Sequence, residues 1–99
     1  MSCNRTQLCG RIETLGALRF SPAGVALVEF TIAHRSVQTE AGVPRKVNYV
    51  LHAIAAGDMA QQVAQLSKKC TVKATGFLAQ ADRANAAVVL HVQNIELIE

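Results

Sequence analysis

A small all-β barrel of five strands, carrying one short helix between the third and fourth, is the fold class this sequence predicts. Three observations point to it. Apolar and polar residues alternate with a period of two through Val25–Arg35, which is the pattern of a half-buried strand. Turn signals built from glycine, proline and short polar residues recur between such runs. Only one segment, behind Asp58, has helix formers with apolar residues at helical spacing.

Taken in order, Asn4–Leu18 reads as one long first strand, interrupted at Gly10 and again near Gly16. Glycine inside a strand marks a bulge or sharp bend, and the bend falls within Leu8–Ile12; two short strands joined by a plain turn are the other reading. Ser21-Pro22-Ala23-Gly24 presets φ at proline and frees it at glycine, so a second strand starts at Val25. In that strand Val28, Phe30 and Ile32 share one face, and Glu29, Thr31 and Arg35 the other. Gln38–Pro44 breaks the pattern as a long polar loop with a basic rim, and Val47–Ala56 is the third strand. Asp58 caps a helix over Met59–Leu66, whose Met59, Val63 and Leu66 stripe is a core-packing face that plugs one end of the barrel. Ser67-Lys68-Lys69 closes the helix with charges suited to its C-terminus. Cys70–Ala79 is the fourth strand, Gln80–Ala86 a short loop, and Ala87–Ile98 the fifth strand.

A chain of 99 residues makes one domain, able to bury roughly 60–70% of its unfolded surface. Hydrophobic residues are 51% of it but aromatic ones only 4%, so the core is built largely from alanine and valine and is thin. A thin core in a short β chain favours association, because a shared sheet buries area that one copy cannot. The net charge of +3 favours polyanions. Arg19, Arg35, Arg45, Lys46 and Arg83 all fall at strand ends or in loops, where they can converge on a groove; single charges there also serve simply to keep strand edges solvated.

Several chemistries lack their residues. Cys3, Cys9 and Cys70 are an odd number without a Cys-x-x-Cys pair, which encodes neither a disulfide framework nor a zinc site. His34, His52 and His91 have no Ser, Cys or Asp arranged as a nucleophile beside them, the seven carboxylates are scattered, and no phosphate-binding glycine loop occurs. An enzyme is not expected, nor a metal or cofactor. No apolar run reaches membrane-spanning length and no apolar leader follows Met1, so a cytoplasmic protein is expected.

The order SPAG, apolar strand, His34-Arg35-Ser36-Val37-Gln38, an acidic residue, Ala41-Gly42, a basic residue and a strand resembles the PriB family of primosomal replication proteins, relatives of the single-stranded DNA-binding proteins. The resemblance resumes at Val72–Leu78 and Leu90–Ile98, and spans the chain from about Asn4 onward. It implies an OB-fold homodimer that binds single-stranded DNA, is nucleoid-associated, and assists replication restart with PriA helicase, DnaT and SSB as partners. Five strands with one helix between the third and fourth agree with that fold.

In the family pattern the face of the third strand bearing Asn48, Val50 and His52 meets DNA. Asn48 and His52 are therefore expected on bases or sugars, with Arg19, Arg35, Arg45, Lys46 and Arg83 on phosphates. Tyr49 and Leu51 point the other way and are expected at or near a dimer contact made mostly by the first and third strands. Asn48 stands where the family carries tryptophan and Val43 where it carries phenylalanine, and the Gln80–Ala86 loop lacks the family's lysines. Those losses make a second reading worth keeping: a dimeric protein-interaction adaptor of the primosome with only weak DNA binding.

Overall fold

The first strand, β1 (Thr6–Leu15), serves two neighbours in succession. In the computed structural model, which describes residues 2–82 and 85–98, it pairs with one strand over Thr6–Arg11 and with another over Arg11–Leu15. The change of partner at Arg11 falls inside the segment Leu8–Ile12 where a bend is expected, while the irregularity in register lies just beyond it, between Ile12 and Thr14; Gly10 permits the close approach of β1 to β3. A Cβ at that position would lie 2.6 Å from the Ala33 carbonyl oxygen and 2.6 Å from Ile32 Cγ2, so only glycine lets β1 pass this close.

After β1 comes a two-residue strand, β2 (Arg19–Phe20), which was not expected as a separate element. The first strand is accordingly shorter than Asn4–Leu18. At its start Asn4 replaces backbone with side chain: its amide donates to the Leu78 carbonyl at 2.8 Å and accepts from the Leu78 N–H at 3.0 Å. Ser21–Gly24 forms the expected turn, with Gly24 N–H donating to Ser21 O at 2.8 Å. Two long strands follow, β3 (Ala26–Glu40) and β4 (Val43–Ala56), paired without interruption from Leu27↔Ala56 to Glu40↔Val43.

That ladder corrects the expected loop at Gln38–Pro44. The hairpin turns at Ala41-Gly42 alone, with φ of 52° and 76°, the left-handed region that both centres of a type I′ turn occupy. Composition misled here because Gln38, Thr39, Glu40 and Pro44 are poor strand residues on average. On an exposed arm they solvate a ladder that the turn already registers.

The helix, α1 (Asp58–Ala64), begins one residue earlier than expected and ends two earlier. Gly57, not Asp58, is its N-cap, and no side chain caps it. Ala60 and Val63 are fully buried, with Met59 and Leu66 packed partly against the same core, so the helix does plug the barrel. Lys68 and Lys69 lie beyond its last turn, which carries no basic residue. Two further strands, β5 (Thr71–Asp82) and β6 (Asn85–Leu97), pair up to Asp82↔Asn85 and absorb most of the expected Gln80–Ala86 loop.

Around the barrel the order is β1-β5-β6-β4-β3, closed by the β1–β3 pairing, with β2 attached only to β3. All neighbours are antiparallel except β4 and β6. Ile12, Val28, Ile32, Val63, Val72 and Leu90 are wholly buried, each contributing roughly 1.5–3 kcal/mol of transfer free energy. Alternation in β3 therefore reads as expected: Val28, Phe30 and Ile32 face the core.

Pairing to the barrel ends before the hairpin does. β1 leaves β3 at Ala33, and β6 meets β4 only at Ala53 and Ile54. Residues 34–49 are consequently a two-stranded arm extending from the barrel, and the molecule measures 50 × 34 × 25 Å.

Candidate nucleic-acid interface

Register decides which side chains share a face of this arm. Directly opposed residues in an antiparallel ladder lie on the same side. Thr31↔His52, Ala33↔Val50, Arg35↔Asn48 and Val37↔Lys46 therefore line one face, continuous with the barrel's exterior. His34↔Tyr49, Ser36↔Val47 and Gln38↔Arg45 line the other, continuous with the core side.

On the exterior face Arg35, Lys46 and Asn48 come together as expected. They line a groove of about 310 Å³ with Ser36 and Val37, and all three are exposed. Neither Arg35 nor Lys46 makes an ion pair among the described residues. Val37 and Val50, 66% and 54% exposed, add the apolar surface between them. Two free cations around an exposed amide on a flat strand surface can hold a phosphate on either side and offer hydrogen bonds to a base or sugar.

His52 shares the face but belongs to a different depression, of about 510 Å³, at the barrel end. Leu15, Gly16, Phe30, Ala53 and Val88–Val89 are among its walls, with Glu29 at its edge. Arg19 stands at that end too, and its Nη2 is 2.6 Å from Glu29 Oε2. Arg45 is on the opposite face of the arm from Lys46 and Asn48, with Nη1 2.7 Å from Glu40 Oε1. Both pairs are solvent-exposed, so each adds little stability, yet each carboxylate offsets the charge a phosphate would meet. The sequence lists these arginines as equals with Arg35; the pairing strands bring them acidic partners ten and five residues away. Arg83 lies outside the described residues.

Tyr49 and Leu51 do point away from the exterior face, Tyr49 43% exposed and Leu51 half-buried. Tyr49 packs on His34, for which the sequence alone implies no role. His34 Nδ1 lies 2.7 Å from the Cys9 carbonyl oxygen, which can only accept, so Nδ1 carries a proton. Its Nε2 is 2.8 Å from Ser36 Oγ, which in turn accepts from Gln38 Nε2 at 3.0 Å. The alternation of polar residues at 34, 36 and 38 was the available signal. His91 stacks on Phe77, ring centroids 4.9 Å apart and 3° from parallel.

Cys3 and Cys9 are exposed free thiols, and Cys70 is a half-buried one. Among the described residues no three His, Cys, Asp or Glu side chains are grouped to hold a metal ion, and no helix is long and apolar enough to cross a membrane.

Residues 4–94 match a family model described as another single-strand binding protein family. The replication restart protein PriB of Nitrosomonas europaea is 35% identical over 99 residues, covering 98% of this chain and 92% of that protein. PriB of Bordetella pertussis is 36% identical over 95 residues, covering 96% and 89%. The chain belongs to the PriB family. Its fold agrees with that membership: PriB from Ralstonia solanacearum superposes with a TM-score of 0.90 at 28% identity over 99% of this chain and all of that one. The single-stranded DNA-binding protein of Thermus aquaticus shares the fold at a TM-score of 0.79 and 22% identity, matching 98% of this chain and half of that longer one. The five-stranded OB barrel with one helix before its fourth long strand is thus the family's fold.

Proposed function

We propose that this chain is a non-enzymatic, single-stranded DNA-binding accessory of replication restart, and that the strand lies on the exterior face of the β3–β4 arm. The observation that carries the proposal is the groove where unpaired Arg35 and Lys46 flank exposed Asn48. Phosphates sit on the two cations and Asn48 reaches a base edge or sugar. His52 and Arg19 extend the contact toward the barrel end, while Arg45 adds charge near the tip of the β3–β4 hairpin and Arg83 is a further candidate cation. Because Asn48 offers no ring to stack on, affinity is mostly electrostatic and falls steeply with salt.

The family's partners fit the same proposal: a homodimer, in the cytoplasm and at the nucleoid, acting with PriA helicase, DnaT and SSB. Dimerisation suits an arm that is only two strands wide, since an isolated two-stranded ribbon is marginal in water. Tyr49 and Leu51, on the core-side face, are the residues to shield there. Sedimentation tests this: a monomer persisting at tens of micromolar overturns the dimer.

A second reading, a dimeric adaptor whose arm contacts a protein partner and binds DNA weakly, is favoured by exposed Val37, Val43 and Val50. Titration of a labelled oligothymidylate across a salt series separates the two. Tight binding at low salt that collapses as salt rises supports the first; absence of binding at low salt leaves the adaptor.

A further inference from the structure

The groove that holds Arg35, Lys46 and Asn48 does not end at Arg35. A second depression of about 340 Å³ adjoins it, lined by Cys9, Gly10, Arg11, Ala33, Arg35 and Thr71, so Arg35 is the wall common to both. Its origin is the end of a ladder. β1 pairs with β3 up to Arg11↔Ala33 and no further; one step on, His34 reaches the Cys9 carbonyl with its ring instead of its backbone. The two strands part there, and the cleft opens between Cys9–Arg11 and Ala33–Arg35.

Arg11 and Arg35 face each other across this opening. Since Ala33 is opposite Arg11, Arg35 is its diagonal neighbour on the same face, about 7–8 Å away between backbones and well within reach of two long side chains. On the arm, Lys46 stands diagonal to Arg35 in the same manner, because Val37 is opposite Lys46. Three cations therefore follow one another along a continuous exterior track. Among the described residues Arg11 has only a loose carboxylate neighbour, Glu13, at 3.9 Å with both side chains about half exposed, in contrast to the close pairs that occupy Arg19 and Arg45.

We propose that Arg11 and Arg35 form a phosphate-binding site at the β1–β3 opening, and that a bound single strand runs from Lys46 past Arg35 to Arg11 and so passes over Cys9. The proposal rests on the single-strand reading above and adds to it a direction and a residue. Guanidinium groups suit the task, since each offers several donors in a fixed plane to phosphate oxygens. Arg11 was missed in the sequence because it sits mid-strand in β1, where a lone arginine looks like any solvated charge.

Cys9, exposed in the same cleft, supplies the probe. In the full chain carrying Cys3→Ser and Cys70→Ser, maleimide should label Cys9 readily, and saturating oligothymidylate at low salt should slow that labelling several-fold. In a salt-series titration Arg11→Ala should lower the slope of log K against log salt by about 0.7, the value for one phosphate on a single strand, while Arg11→Lys retains most of it. Glu13→Gln should strengthen binding at low salt. If the oligonucleotide binds and Arg35→Ala weakens it, but Arg11→Ala leaves the slope unchanged and Cys9 stays fully reactive, the track is wrong and the single-strand reading stands. If the wild type binds no oligonucleotide, both fall. Cys9 unreactive in the free protein means a second copy covers the cleft, which also overturns the site.

Discussion

Tyr49 lies across the arm from His34 with ring centroids 5.0 Å apart and planes tilted by 36°. The contact ties the arm's core-side face to the barrel, because the same imidazole bonds the Cys9 carbonyl in β1 and joins the Ser36–Gln38 chain. One side chain thus bridges the point where β1 stops pairing with β3.

The first prediction follows from that bridge. His34→Ala removes a hydrogen bond to β1 and a ring contact to Tyr49, each worth about 1 kcal/mol. Amide exchange in residues 34–49 should accelerate by about an order of magnitude or more, with barrel amides around Ile12 and Leu90 nearly unchanged. Equal acceleration everywhere would show that the arm and barrel open as one unit and that His34 is not a local tether.

Ala41 presents a simpler case. At φ 52° its Cβ crowds the backbone, a conformation that asparagine tolerates better and that Asn-Gly turns favour. Ala41→Asn should stabilise the fold by about 0.5–1 kcal/mol, read as a higher urea midpoint at constant m-value. A lower midpoint would contradict the turn assigned to Ala41-Gly42.

Much of this was legible in the sequence and some was not, for physical reasons. Alternation at Val28, Phe30 and Ile32 reports a buried face wherever it occurs, and Gly10 reports a backbone too close for a side chain. The Gln38–Pro44 segment was misread because strand propensity measures fit to a half-buried surface, and this arm has none to fit. Charge in the candidate site was harder still. Arg19, Arg35 and Arg45 look alike in the sequence, and only strand pairing shows that two of them have a carboxylate within 2.7 Å and that Arg35 has none among the described residues. The PriB resemblance located the face, but register had to show that Arg45 and Val43 lie on its reverse.

Those ion pairs yield the third prediction. Arg35→Ala and Lys46→Ala should each reduce the salt slope of single-strand binding by about 0.7 and weaken it several-fold at low salt. Arg19→Ala and Arg45→Ala should do less, since each also frees Glu29 or Glu40 from a partner and changes local charge without removing an available cation. Four equal effects in the same titration would show that the pairs open in the complex.

The last prediction concerns what the exterior face lacks. Asn48 is exposed opposite Arg35, with Val37 and Val50 as the apolar side chains beside it on this face; the His52 imidazole, on the same face, lines the barrel-end depression, so no ring lines the groove at Asn48 itself. Asn48→Trp places an indole between the two cations without burying it in the core, because neighbouring β4 positions on this face are open to solvent. It should add roughly 1–3 kcal/mol of stacking. Stacking does not release counterions, so the gain should persist at high salt and leave the slope near its original value, whereas the arginine and lysine variants change the slope itself. The measurement is a pair of titrations, at low and at high salt, on a variant with unchanged circular dichroism and oligomeric state. An indole that changes neither titration, or fluorescence that does not respond to the oligonucleotide, would place the bases on the arm's other face, among Tyr49, Val47 and Val43, and the exterior groove would lose its role.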